Sequence, residues 1–311
     1  MPGVPTLPRV RPAGRVLQAA AGPWQTSPVD IPDDPFAMLS ALPGVPEGVE
    51  RARACVDSLR GHRAMRRLGP AVAAESGLRA ARASAALAGV DVTLGDMRAG
   101  NWPAGRPGQV AAAAVRVVAE TARQLPVWPK APLQALAALH VAAASDVLPA
   151  ELLGRPRPAG TAPGPEAGDP VESLPSPRAS GGPWPDAQEV AARLDLLIDL
   201  LSRPTEAPAV VVAAVVHGEL MALRPFAAGN GLVARAAARL VGMDRGLDPA
   251  GVAVPEAGFA LDSPQEYVEA VASFASGRPA AVAAWILRCA DAYVAGAQEG
   301  FDAADLVADV P

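Results

Sequence analysis

The stretch LRPFAAGNGLVAR, residues 223–235, decides how the chain is read. Pro225 has no amide hydrogen with which to continue a helix, so one arriving from the N-terminal side stops near Arg224. Gly229, Asn230 and Gly231 permit positive φ. From Leu232 onward Ala, Val and Leu recur, with Arg235 and Arg239 four apart on one face, the pattern of a new helix over 230–242. Consecutive N–H groups at a glycine-rich helix start, added to the positive end of the helix dipole, form an anion site. A plain turn between two helices uses the same residues, and spacing alone favours that simpler reading.

Working outward, residues 206–223 are apolar almost all round, as a helix at the centre of a bundle must be. Leu194, Leu197, Ile198 and Leu201 follow the i, i+3, i+4, i+7 rule and predict an amphipathic helix over 186–202. Ser263, Pro264 and Glu266 give a capping hydroxyl, a proline at the first helical position and an acid at the third; they open a helix over 263–276 that Gly277 closes. A last helix is expected over 279–298. Toward the N-terminus, periodic stretches at 49–66, 68–89, 107–125 and 130–145 are separated by Pro or Gly. No alternation of period two runs beyond four residues, so the fold class is all-α, a helical bundle. The expected organisation is an irregular Pro/Gly-rich arm over 1–46, an N-terminal helical region over 47–153, a Pro/Gly-rich loop over 154–185 and a core over 186–300.

The 311 residues are 50% apolar, enough to bury a large core. With 27 basic against 32 acidic side chains the net charge is −5, which disfavours nucleic acid as a partner. Lys130 is the only lysine; arginine abundance therefore reflects codon bias and carries no functional weight. Cys55 and Cys289 stand far apart with no CxxC spacing, so neither a metal site nor a disulfide is expected, and the reducing cytoplasm is the expected compartment. The longest apolar run, Ala207 to Val216, is about half the ~20 residues needed to cross a bilayer, so no membrane association is expected. His62 and His140 have no companion ligands nearby, and packing accounts for His140 in LQALAALH. His217 sits two turns before Arg224 and reads as a core histidine satisfied by a hydrogen bond, with a position facing the loop as the alternative.

The quoted stretch resembles the signature of Fic (Fido-domain) proteins, HPFx(D/E)GNGRxxR, at Pro225, Phe226, Gly229, Asn230, Gly231 and Arg235. It departs at Arg224, where that family has histidine, at Ala228, where it has an acid, and at Leu232, where it has an arginine. AAVVHGELMAL is similar to the helix before the signature. SAALAG, Ser84 to Gly89, resembles the self-inhibitory helix (S/T)xxxE(G/N), keeping Ser84 and Gly89 with Ala88 in place of the glutamate. VTLGDM, GGPWPDAQEV and WILRCADAY fall in the family's order, so the resemblance covers about residues 70–298.

The resemblance implies a Fic-like bundle with an irregular or β-hairpin flap within 154–185, where Ser180, Gly181 and Gly182 would meet a target backbone and Trp184 either joins them or tucks against the bundle. It implies AMP transfer from ATP to a protein hydroxyl as the family's activity, in which the histidine takes the hydroxyl proton and the acid holds Mg²⁺. Arg224 cannot act as that base because a guanidinium stays protonated, and losing a general base costs about 10²- to 10⁴-fold. Ala228 offers no oxygen, so Mg²⁺ binding is expected to be weak. No catalytic residue and no metal ligand is assigned. ATP or another phosphate ligand is expected on the Gly229, Asn230 and Gly231 amides, with Arg235 at the terminal phosphate and Arg224 as added charge. With Ala88 in place of the glutamate, Arg235 is expected to be free. The expected function is that of a degenerate, non-transferring relative that keeps a phosphate loop or serves as a scaffold for an unidentified protein partner or for its own copy; an altered nucleotidyltransferase is the alternative.

Overall fold

The computed structural model describes residues 33–160 and 184–309. Ser180, Gly181 and Gly182 of the expected flap lie outside these residues. Twelve α-helices are described: α1 (Pro35–Ser40), α2 (Val45–Arg60), α3 (Met65–Leu87), α4 (Leu94–Ala99), α5 (Arg106–Gln124), α6 (Pro132–Ala144), α7 (Ala187–Ser202), α8 (Ala209–Leu223), α9 (Asn230–Asp244), α10 (Pro255–Phe259), α11 (Pro264–Ala275) and α12 (Pro279–Ala308). A 3₁₀ turn at Ala150–Leu152 follows α6, and no strand occurs among the described residues.

Helix α8 is the axis. Val210 through Leu223 are all buried, which explains the absence of a polar stripe in its sequence. It packs against α9, α11 and α12. Gly218 makes this approach possible: a Cβ there would stand 2.7 Å from the Phe274 ring and 2.8 Å from Trp285 Nε1. Trp285 itself donates its Nε1 hydrogen to the Ala214 carbonyl at 2.7 Å. On the other side of the bundle, α3 packs against α5 and α12, and α5 continues the layer onto α6 and α9.

Several boundaries move. The irregular arm ends earlier than residue 46, because Asp34 caps a short helix α1 through the Ala37 amide and Pro46 sits in the first turn of α2, where proline costs nothing. Pro70 stands inside α3 at its sixth position, where it forgoes the bond to the Arg66 carbonyl, and the helix continues through it. The last helix runs ten residues past the expected end at 298, to Ala308, since Ala303 and Ala304 still face the core. By length and composition α12 is the one described helix that would span a bilayer, and 61% of its most apolar window is buried inside the bundle, so core packing accounts for its apolarity.

Candidate functional site

The loop joining α8 to α9 starts with an unusual residue. Arg224 takes φ 44° and ψ 66°, the only positive φ outside glycine among the described residues. A left-handed backbone at a residue with a Cβ costs about 1–2 kcal/mol, so neighbours must hold it. Arg157 is one such neighbour: its amide donates to the Pro225 carbonyl at 2.8 Å, its Nε donates to the Arg224 carbonyl at 2.9 Å, and its Nη2 donates to the Pro185 carbonyl. One guanidinium, 4% exposed, thus ties both described ends of the Pro/Gly-rich segment to the loop. Burial lowers the Arg157 pKa, while Asp186 and Glu189 act to raise it.

The middle of the loop is built around Phe226. Asn230 accepts from the Phe226 amide at 2.9 Å through Oδ1 and donates to the Phe226 carbonyl at 3.0 Å through Nδ2. The side chain therefore pairs with backbone as a strand neighbour would. Phe226 stacks on His140 of α6 at 4.1 Å, and His140 Nδ1 accepts the Gly154 amide at 3.0 Å. The packing expected for His140 is what holds this ring in place. Gly229 then caps α9 with φ 75°, and a Cβ on it would approach Ala143 Cβ to 2.9 Å. Among the described residues nothing accepts from the N–H groups of Gly231 and Leu232. Helix-start donors are present where the sequence places them, although Gly231 is buried.

The arginines depart from expectation. Arg235, expected to be free, is 5% exposed and already engaged: Nε donates to Ser84 Oγ at 2.7 Å and Nη2 to the Ser84 carbonyl at 3.1 Å. The reason is that α3 carries a hydroxyl and an end-of-helix carbonyl to the guanidinium, which together need no carboxylate. Arg224 is 4% exposed with its Cζ 5.0 Å from the Trp184 ring centroid, a cation–π contact. It does not pair with Glu219, which faces Arg193 of α7 at 2.7 Å. Trp184 is thereby folded against the bundle, with Arg224 beneath it.

Ala88, Ala228 and Leu232, the positions where the resemblance predicts charge and the sequence supplies none, converge. With Gly229, Arg106 and Asp146 they border one cavity of about 40 Å³. No group of three or more His, Cys, Asp or Glu among the described residues is arranged to hold a metal ion. His217 is 1% exposed and Nε2 lies 2.6 Å from the Tyr267 hydroxyl, so it is the hydrogen-bonded core histidine expected. Burial first, and the Arg235 charge second, push its pKa down to about 3.

The loop is a helix–loop–helix with a proline stop, an asparagine-braced GNG cap and an arginine one turn into the second helix, and residues 130–241 match the model of the Fic/DOC family. Over that stretch the chain is similar to the Fic/DOC domain. Its fold is similar to that of a Fic family protein from Desulfovibrio desulfuricans G20, with a TM-score of 0.61 at 20% identity over 90% of this chain and 77% of that one. It is also similar to Fic-1 from C. elegans, with a TM-score of 0.54 at 16% identity over 83% of this chain and 71% of that one. No curated protein matches the sequence. Arg157, the Asn230 side chain and the Ser84–Arg235 contact were not found from sequence. Arg157 lies in an aperiodic segment where no spacing marks it, and a long-range pair such as 84 with 235 leaves no local trace.

Proposed function

We propose that this Fic-fold protein does not transfer AMP by the ordinary route and serves as a binding scaffold built on the Fic frame. The observation that carries the reading is the engagement of Arg235 by Ser84, because the arginine that would meet a terminal phosphate is buried and already held by the protein. Two residue identities support it. Arg224 stands where the transferring members have their base and cannot accept a proton, and Ala228 cannot hold Mg²⁺. A guanidinium and a methyl therefore replace the two groups on which the transfer step depends.

Incubation with labelled ATP, Mg²⁺ and a lysate tests this: no labelled band above background is expected, and a labelled protein that requires the wild-type chain overturns it. Triple substitution Arg224→His, Ala228→Asp and Leu232→Arg, with Ser84→Ala to release Arg235, is expected to restore self-labelling if the frame is intact.

A second reading keeps a phosphate ligand without turnover. The unaccepted N–H groups of Gly231 and Leu232 favour it. Thermal shifts with ATP, ADP and inorganic phosphate, with and without Mg²⁺, separate the two: stabilisation of about 2.7 kcal/mol at a hundredfold excess over Kd is the phosphate outcome, and no shift at millimolar concentration is the scaffold outcome.

A further inference from the structure

Below the loop, between α8, α9, α10 and α12, lies a second small cavity of about 20 Å³. Its wall includes His217, Arg235, Glu256, Cys289 and Tyr293, with Ala213, Ala214 and Ala238 supplying methyl groups. Most of the wall is apolar, but His217, Arg235 and Glu256 bring hydrogen-bonding side chains to it, and a void of ~10–15 Å³ already admits one water. One polar atom in this wall has no partner among the described residues. His217 Nδ1 is buried with no hydrogen-bond partner, while Nε2 is taken by Tyr267. Arg235 donates to Ser84 through Nε and Nη2, and its guanidinium also borders the cavity. Glu256 accepts from Arg239 at 2.9 Å through Oε2, and its carboxylate lines the cavity.

We propose that this cavity is a binding site for one ordered water molecule that bridges His217 Nδ1, Arg235 and Glu256 Oε1. Water suits the wall better than an anion. It accepts from the guanidinium and donates to the carboxylate, whereas a halide would face the Glu256 charge. Water also serves either tautomer of His217: when the Tyr267 hydroxyl donates to Nε2, the Nδ1 hydrogen points to the water oxygen, and in the other tautomer the water donates to Nδ1. Burial holds His217 neutral and raises the pKa of both the Cys289 thiol and the Tyr293 hydroxyl, so the remaining wall groups are uncharged. The bridge links the Ser84–Arg235 contact of α3 and α9 to the His217–Tyr267 contact of α8 and α11 and to Glu256 of α10, so five helices meet through one solvent molecule. This inference stands whether or not the loop above takes a phosphate.

A high-resolution crystal structure of the full chain grown in bromide tests it directly. One density peak without anomalous signal, within hydrogen-bond distance of His217 Nδ1 and an Arg235 guanidinium nitrogen, is expected. An empty cavity, or a bromide peak, overturns the proposal. In solution the sign of a filling substitution decides. Filling a dry void with Ala238→Val raises Tm, whereas expelling a bridging water lowers it, here by about 2–8 °C. That fall is expected to shrink in a His217→Phe background, where one of the bridged groups is gone. A rise in Tm, or an equal fall in both backgrounds from simple overpacking, contradicts the bridge.

Discussion

Ser84→Ala is the substitution that most sharply tests how α3 holds the site. The serine hydroxyl accepts from Arg235 Nε at 2.7 Å, while the Ser84 carbonyl, which the substitution leaves in place, accepts from Nη2 at 3.1 Å. One charge-assisted bond is therefore removed and one remains. Because Arg235 is 5% exposed, water cannot replace the lost acceptor without rearrangement. A hydrogen bond to a charged group contributes about 1.5–3 kcal/mol, and at about 2–4 °C per kcal/mol for a domain of this scale the melting temperature should fall by roughly 3–12 °C. Thermal unfolding followed by far-ultraviolet circular dichroism measures it. Ser76→Ala, two turns earlier in α3, is the control: Ser76 Oγ is buried with no partner, so its removal should leave Tm unchanged or slightly raised. If the two variants melt together, or Ser84→Ala melts within 1 °C of wild type by the ~2–4 °C scale above, Ser84 does not hold Arg235 and the reasoning fails.

Other consequences follow from the same packing. His217 titrates near 6.5 when unfolded and at about 3 in the fold, so the unfolded chain binds the extra proton first; the stability this neutral group contributes is complete above pH 6.5 and is lost as pH falls toward 3. The loss approaches about 1.4 kcal/mol per pH unit inside that window, and comparing acid-unfolding profiles of wild type and His217→Phe should show a shallower slope for the variant. Gly218→Ala should cost at least about 1–3 kcal/mol, because the new methyl meets Phe274 and Trp285 below 3 Å; an unchanged urea midpoint would contradict the packing. Arg157→Ala removes the donors to Arg224 and Pro185 while sparing the backbone bond to Pro225. Faster amide exchange confined to residues 224–231 is expected by mass spectrometry, and unchanged protection there would show that the left-handed Arg224 is held by other contacts.

Much of the architecture was legible because it is periodic. The all-apolar run before Pro225, the leucine stripe of α7 and the Ser263–Glu266 box each encode a helix in local spacing, and each is found as a helix. The loop was legible for the same reason, since proline and glycine act on the backbone at their own positions. What spacing does not encode is which distant group meets which. Removing a glutamate at Ala88 suggested a free Arg235, yet burial demands a partner for any guanidinium, and Ser84 one turn earlier supplies two oxygens. Arg157 likewise carries no periodic signal, because its role rests on carbonyls some 30 and 70 residues away in sequence.

The proposed scaffold role requires Arg235 to stay committed within the protein and Arg224 to be unable to serve as a base. Equilibrium dialysis of the wild-type chain against labelled ATP with Mg²⁺ tests that most directly. No saturable binding up to millimolar ATP is predicted, with binding appearing on release of Arg235 by Ser84→Ala only when Arg224, Ala228 and Leu232 are also replaced by His, Asp and Arg. Saturable one-to-one binding to the wild-type chain at micromolar ATP would contradict it.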